Sequence, residues 1–239
     1  MNGILALFKP KGLTSAELLN QFKTFLVKEI RSTNPRKRKR VKVGHGGTLD
    51  KDAEGVLVVG LGDGCKQLKT YLEGRKRYLA IGKLGSATDT FDASGKVTNE
   101  AKFGHISIQD FESVLKTFTG KIQQAPPVYS AVKVQGKRAS DLARQGKPPD
   151  LQPREVTVYD LTCIDFNPPL FKLDVYCGSG TYVRSIVNDI GQELKSAAHL
   201  VDLSRTEQGP YKIDQALRQG EWSLERVGEV LKGRKSTKE

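Results

Sequence analysis

The segment from Val43 to Asp50 concentrates residues that could carry chemistry. Its sequence, Val-Gly-His-Gly-Gly-Thr-Leu-Asp, holds three glycines, one histidine and one aspartate within eight residues. Glycines at this density disfavour a helix or a flat strand interior and favour a backbone bent tightly beside a ligand. Such a bend would present the His45 imidazole and the Asp50 carboxylate to one space. From spacing alone, a surface turn whose aspartate caps a local backbone group is the simpler interpretation.

A second glycine-rich turn runs from Cys177 to Arg184, at a predicted strand-to-helix junction. It places Tyr182 and Arg184 near a helix N-terminus, where a cation opposes the helix dipole and needs a carboxylate or phosphate partner. Asp50 is a candidate partner, because a carboxylate in a partly dry pocket needs a cation to remain ionised and nucleophilic at neutral pH. An exposed arginine on the first turn of a helix is the alternative.

Signatures of cofactors and metals are missing from the sequence. The three cysteines lie far apart without a Cys-x-x-Cys pair, which suits a reducing compartment rather than a disulfide framework or a zinc site. The three histidines lie in unrelated contexts. There is no G-x-x-x-x-G-K-[ST] phosphate loop, and residues 60–64 lack the third glycine of a dinucleotide fingerprint. We therefore expect no cofactor and no metal.

The charge balance points to a polyanionic partner. The 239 residues include 39 Lys and Arg against 27 Asp and Glu, a net charge of +12. Such an excess is typical of proteins that bind nucleic acid or an acidic membrane surface. No apolar run approaches the length of a membrane span, and the N-terminus lacks the order of a signal peptide. Nucleic acid is therefore the expected partner, without a membrane.

Hydrophobic periodicity predicts the elements that must position these residues. Strands are predicted at residues 3–9, 56–61, 77–82, 128–134, 156–163, 170–177 and 199–208. Helices are predicted after a Thr14–Glu17 capping box, at 66–73, after Ser107, from the turn at Gly136 to Arg144, at 183–194 and at 223–232. Many neighbouring strands have connections too short for a crossover helix, so we expect an α+β fold with a mixed, largely antiparallel central sheet.

Length and composition allow one large domain or one domain with a small appendage. We expect a single domain over residues 1–232, followed by a disordered basic tail at 233–239. Residues 31–42 form a basic segment without an acidic residue. Its central cations are Arg36, Lys37, Arg38, Lys39 and Arg40, for which contact with RNA phosphates is the functional interpretation. A solvated loop and a nuclear-import signal are alternatives that the sequence does not separate.

Five motifs occur in a fixed order along the chain. They are Lys9-Pro10-x-Gly12-x-Thr14-Ser15, Gly44-His45-x-Gly47-Thr48-Leu49-Asp50, Lys76-x-Tyr78, Pro126-Pro127-x-x-Ser130-Ala131-x-Lys133 and Gly180-Thr181-Tyr182-Val183-Arg184. Together they resemble the TruB family of tRNA pseudouridine synthases, over about residues 3 to 211. The second motif with Gly46, and the basic insertion before it, are most similar to the pattern of the eukaryotic, human-type branch.

The resemblance implies the pseudouridine synthase fold and the isomerisation of uridine 55 in the T-arm loop of tRNA. The bond between ribose and the uracil nitrogen would break and the ribose would rejoin carbon 5, after the base has been flipped from its stack. Asp50 would be the nucleophile, with attack on sugar or base left open. Arg184 would pair with Asp50, and Tyr78 would stack on the flipped base and help to remove the carbon 5 proton.

The resemblance also implies substrate contacts. His45 would occupy the space that the base vacates, Tyr182 and Leu203 would line the uracil pocket, and Lys133 would support the RNA-side architecture. The family usually has proline where Lys51 stands, and often tyrosine where Ser140 stands, which bears on fine substrate contacts rather than on the reaction.

Three functional interpretations follow. The first is a stand-alone tRNA pseudouridine-55 synthase, a monomer, with other RNAs that carry a T-loop-like hairpin left open as substrates. The second is an RNA-binding folding helper that needs no catalysis. The third is a guide-RNA-dependent pseudouridylase of the dyskerin type, which is disfavoured because too few residues follow the last motif for a PUA domain. We expect an intracellular protein, with nucleus, cytoplasm and mitochondrion left open.

Overall fold

The structure is a computed structural model that describes residues 1–33 and 41–233. The helices are α1 Ser15–Thr33, α2 Leu68–Glu73, α3 Ile108–Thr117, α4 Ala139–Arg144, α5 Val183–Glu193 and α6 Leu224–Gly233. The strands are β1 Gly3–Lys9, β2 Val43–His45, β3 Glu54–Leu61, β4 Lys76–Leu84, β5 Ser86–Thr88, β6 Val97–Glu100, β7 Gly120–Gln124, β8 Lys133–Val134, β9 Lys137–Arg138, β10 Arg154–Asn167, β11 Leu170–Cys177, β12 Ala198–Gln208 and β13 Tyr211–Lys212.

The chain divides into two compact units. Unit 1 comprises Met1–Lys76 and the residues from Ser204 onward, and unit 2 comprises Arg77–Leu203. The boundary falls inside β12, between Leu203 and Ser204. The expectation of a single domain over residues 1–232 stays a prediction, and residues 234–239 of the predicted tail lie outside the described residues.

Unit 1 is organised around β3. Strand β1 pairs with it antiparallel, with Leu7 opposite Leu57, and β2 pairs with it antiparallel, with His45 opposite Val59. The N-terminal end of β3 pairs parallel with β12, with Arg205 opposite Gly55. Apolar clusters cover both faces of β1 and β3, one with α1, α6 and Trp222 and the other with Tyr71 and Tyr211. Burial on both faces is the reason why β3 has a continuous apolar run rather than an alternating one.

Unit 2 has the strand order β12-β4-β11-β10-β7. Strands β10 and β11 are antiparallel with Leu161 opposite Val175, and β7 pairs antiparallel with β10. Phe111 of α3 packs against Phe171 of β11 with ring centroids 4.9 Å apart. Helix α5 buries an apolar face consisting of Val183, Ile186, Val187 and Ile190.

The predicted mixed, largely antiparallel sheet is confirmed, and most predicted elements lie within a few residues of the observed ones. The predicted strand at 128–134 is wrong except at Lys133–Val134. Its backbone groups pair instead with the start of α4, as when Ala139 N donates to Val132 O at 2.7 Å. Strand β7 was not predicted, because its sequence Gly-Lys-Ile-Gln-Gln lacks alternation. Within the described ranges, no helix combines the length and the apolar character needed to cross a membrane.

Candidate functional site

The backbone before Asp50 is anchored to helix α1. Ser15 Oγ accepts a hydrogen bond from Leu49 N at 2.9 Å and donates one to Leu49 O at 3.0 Å. Leu49 itself is 3% exposed and packs into the core, whereas the next residue, Asp50, is exposed. The buried leucine and its double hydrogen bond therefore hold an accessible carboxylate at a defined place in unit 1.

The backbone after Asp50 is anchored by a buried lysine. Lys9 Nζ donates to the carbonyl oxygens of Pro10, Leu13 and Lys51 at 2.9, 2.6 and 3.0 Å. Burial lowers the pKa of Lys9 to about 8, although the negative charges of Asp50 and Asp52 oppose the shift. Two residues of the first sequence motif, Lys9 and Ser15, thus fix the chain on both sides of Asp50.

His45 ends strand β2 on the same segment as Asp50. Its Nδ1 accepts a hydrogen bond from Gly47 N at 3.4 Å, and the side chain is half-buried. Burial, and secondly the positive charge of Arg205, lower the pKa of His45. A neutral imidazole is therefore the dominant form at neutral pH, which suits contact with an uncharged base better than contact with phosphate.

Arg184 lies on the first turn of α5 and is 5% exposed. Its guanidinium donates to Thr90 O at 2.9 Å and to Tyr129 O at 3.1 Å, and it lies 3.4 Å from the Asp92 carboxylate. The predicted need for an anionic partner is thus met within unit 2 by Asp92. Sequence reasoning missed Asp92, because residues 88–95 show only turn chemistry. The predicted pairing of Arg184 with Asp50 of unit 1 stays a prediction.

Tyr182 is the residue that precedes α5. Its backbone is held by Gln124, whose Oε1 accepts from Tyr182 N at 2.8 Å and whose Nε2 donates to Tyr182 O at 3.1 Å. The guanidinium of Arg154 lies 5.7 Å from the centre of the tyrosine ring and donates to Gly180 O at 3.2 Å. Gln124 and Arg154 were not predicted, since nothing local marks them as partners of this turn.

The remaining predicted residues lie at scattered positions. Tyr78 on β4 and Leu203 on β12 belong to unit 2 and are 9% and 7% exposed. Lys76, two residues before Tyr78, is buried and donates to Leu72 O in α2 and to Gly74 O just after the helix. Lys133 is exposed in the short hairpin of β8 and β9. The RNA-contact candidates, which are Arg36, Lys37, Arg38, Lys39 and Arg40, lie outside the described residues.

Comparison with known proteins decides the family. The model described as TruB family pseudouridylate synthase (N terminal domain) matches residues 35–183. Pseudouridylate synthase TRUB1 of Homo sapiens is 48% identical over 237 residues, which cover 97% of this chain and 68% of the human protein. The chain belongs to the TruB family. Among bacterial members, tRNA pseudouridine synthase B of Parabacteroides distasonis is 40% identical over 214 residues, covering 90% of this chain and 88% of that protein.

Solved structures show the same fold. A chain from a Cbf5-Nop10-Gar1 complex matches with a TM-score of 0.68 and 29% identity, over 91% of this chain and 52% of that one. A chain from an H/ACA RNP bound to a substrate RNA containing 2′-deoxyuridine matches with a TM-score of 0.66 and 24% identity. This TruB-family chain therefore has the pseudouridine synthase fold and spans about half the length of those solved chains.

Proposed function

We propose that this TruB-family protein converts uridine 55 in the T-arm loop of tRNA to pseudouridine, acting as a monomer with Asp50 as the nucleophile. The printed names of its relatives, among them a tRNA pseudouridine synthase B at 40% identity, support an RNA isomerase whose substrate is tRNA. The observation that carries the proposal is an exposed carboxylate on a backbone pinned at both neighbours, Leu49 by Ser15 and Lys51 by Lys9.

The reaction balances without a redox partner. The bond between uracil N1 and ribose C1′ breaks, a bond between C5 and C1′ forms, C5 loses its proton and N1 gains one. The Asp50 carboxylate bonds transiently to the substrate and is released unchanged, so that one difficult step becomes two easier ones. A base in a structured loop must leave its stack before any side chain reaches it, and the proposal therefore includes base flipping.

Other side chains have the remaining proposed roles. Tyr78 stacks on the flipped base and helps to remove the C5 proton, and Tyr182 and Leu203 line the uracil pocket. The fixed backbone of Tyr182 supports this role, because a base pocket requires walls that hold their position. In unit 1, the neutral His45 occupies the place that the base leaves, and Lys133 of unit 2 supports the RNA from its exposed hairpin.

The decisive experiment maps pseudouridine in an unmodified tRNA transcript. Wild type, Asp50→Asn and the neighbouring exposed control Asp52→Asn are incubated with the transcript, and carbodiimide-dependent primer-extension stops are read. A stop at uridine 55 is expected with wild type and Asp52→Asn, and no stop with Asp50→Asn. Filter binding should show that Asp50→Asn still binds the transcript, because only the reacting group has changed.

Each other outcome contradicts a defined part of the proposal. Binding by the wild type without any stop would favour the RNA folding helper. A stop at a different uridine would refute the position but leave the enzyme class intact. Modification of the bare transcript also distinguishes this protein from an enzyme that needs a guide RNA, since no guide is present in the reaction.

The basic segment 31–42 is proposed to bind RNA phosphates. Replacing its cations Arg36, Lys37, Arg38, Lys39 and Arg40 by serine should weaken tRNA binding and flatten its dependence on salt, because fewer counterions are released. The charge control replaces the exposed Lys96, Lys102 and Lys116 by serine. An unchanged affinity and salt slope in the segment variant would contradict the proposed contact.

A further inference from the structure

Arg205 on β12 is a buried cation whose guanidinium donates hydrogen bonds to backbone carbonyls of unit 1. The residue is 1% exposed. Its Nε donates to Val56 O at 2.7 Å, its Nη2 to Gly47 O at 3.1 Å and its Nη1 to Thr48 O at 3.4 Å. Hydrogen bonds from a charged donor are stronger than neutral ones, and the planar fork holds several acceptors at fixed angles. Arg205 thereby ties two successive carbonyls of the glycine-rich segment to strand β3.

Gln208, three residues after Arg205 on β12, makes further contacts with the same segment. It is fully buried, and its Nε2 donates to Gly46 O at 2.6 Å while its Oε1 accepts from Val58 N at 3.1 Å. With Arg205, it holds the three consecutive carbonyls of Gly46, Gly47 and Thr48. The next residue, Leu49, is the one held by Ser15. Each carbonyl from Gly46 to Leu49 therefore accepts a hydrogen bond from a side chain of another element.

Two glycines allow these side chains to approach. Gly47 has a φ of +143°, and a Cβ there would lie 3.2 Å from Gln208 Nε2. Gly55 has a φ of +110°, and a Cβ there would overlap the carbonyl oxygen of Arg205, its partner in the parallel pairing of β3 with β12. A side chain at Gly55 would push β12 away from β3, and one at Gly47 would crowd the Gln208 amide. The two glycines thus leave the space that the contacts of Arg205 and Gln208 require.

We propose that Arg205 and Gln208 are positioning residues of the reaction, which fix the direction in which the chain leaves β2 and presents Asp50. The inference rests on the proposed function, in which Asp50 is the nucleophile. Both residues are almost completely buried and inaccessible to RNA, so any effect on the rate must pass through the segment that they hold. A displacement of about 1 Å at a reacting group can cost ~100-fold in rate.

The test uses two conservative variants and one control. Arg205→Lys keeps the charge but loses the fork, and Gln208→Met keeps the size but loses both hydrogen bonds. Glu207→Gln, at a partly exposed position between Arg205 and Gln208, is the control. Three quantities are measured: the single-turnover rate of pseudouridine formation at saturating tRNA transcript, the dissociation constant for the transcript, and amide hydrogen exchange across the full chain. Thermal unfolding shows that each variant is folded.

The expected result separates positioning from general stability. Both variants should lower the single-turnover rate ~10- to 100-fold while the dissociation constant changes by less than about twofold. Amide exchange should rise at residues 46–50 and stay unchanged in α3 and α5 of unit 2. The control should match the wild type in all three measurements.

Contrary outcomes have distinct meanings. A folded Gln208→Met or Arg205→Lys protein with the wild-type rate, or with wild-type exchange at residues 46–50, overturns the inference. A loss of rate accompanied by weaker RNA binding and faster exchange in both units also overturns it, because the residues would then be merely structural. Absence of product with the wild type refutes the proposed function instead, and the exchange data then decide by themselves whether the two residues hold the segment.

Discussion

The carboxylate of Asp92 lies 3.4 Å from the guanidinium of Arg184, with the Arg184 side chain 6% and the Asp92 side chain 23% exposed. Asp92 also accepts hydrogen bonds from Thr90 Oγ1 at 2.8 Å and from Ser94 N at 3.0 Å. A single carboxylate therefore closes the turn at residues 90–94 and neutralises the cation at the start of α5. This turn is part of the structure that holds Arg184, although the chain order gives no hint of it.

Replacing Asp92 by asparagine should destabilise unit 2. The buried Arg184 guanidinium would lose the Asp92 carboxylate, at a cost of about 1–3 kcal/mol in the free energy of unfolding. Urea denaturation of wild type, Asp92→Asn and the exposed control Asp150→Asn measures the difference. Equal stabilities of all three proteins would contradict a stabilising role of the Asp92–Arg184 pair.

Replacing Gln124 by leucine should disturb the turn that carries Tyr182. Tyr182 N would lose its hydrogen bond and Tyr182 O would keep only the one from Ile186 N, in a site where Gln124 is 2% exposed, which costs about 1–3 kcal/mol of stability. If Tyr182 lines the uracil pocket, KM for tRNA should rise as well. The control is Gln123→Leu, the exposed neighbour on β7. A wild-type KM in a folded Gln124→Leu protein would argue against the proposed role of Tyr182.

The buried Lys9 should make stability rise at alkaline pH. Its pKa is about 8 in the folded protein and near 10.5 when unfolded, so between these values the unfolded chain binds more protons. Stability must then increase with pH across that window, by up to about 3 kcal/mol for this one group. The free energies of unfolding of wild type and Lys9→Met are compared at pH 7, 8, 9 and 10. The difference between the two proteins should shift in favour of wild type as the pH rises, and a constant difference would contradict the assignment.

His45 should titrate below the ordinary range of histidine. Burial and the charge of Arg205 lower its pKa, so the unfolded chain binds more protons below pH 6.5 and His45 contributes to a loss of stability on acidification. Proton NMR of the imidazole signals gives the titration directly. His105 and His199, both in unit 2, provide reference signals in the same spectra. Arg205→Met should move the His45 midpoint upward, and an unmoved midpoint would exclude Arg205 as a cause.

Local sequence signals predicted the elements well, because they depend on neighbouring residues. The Thr14–Glu17 capping box is confirmed by hydrogen bonds of 2.7 and 3.2 Å, and α1 starts at the next residue after Thr14. The apolar run of β3 correctly indicated a buried strand. The strand predicted at 128–134 failed because the carbonyls of Ser130 and Val132 accept hydrogen bonds from the start of α4, a contact that periodicity does not encode.

The sequence by itself determined the order of the elements, the two glycine-bent segments and the family to which their motifs belong. Only the tertiary structure decided which polar groups satisfy one another: Asp92 with Arg184, Gln124 with Tyr182, and Arg205 with the carbonyls before Asp50. The physical reason is that a buried donor or acceptor must find a partner, and that partner is set by strand pairing between distant parts of the chain rather than by spacing along it.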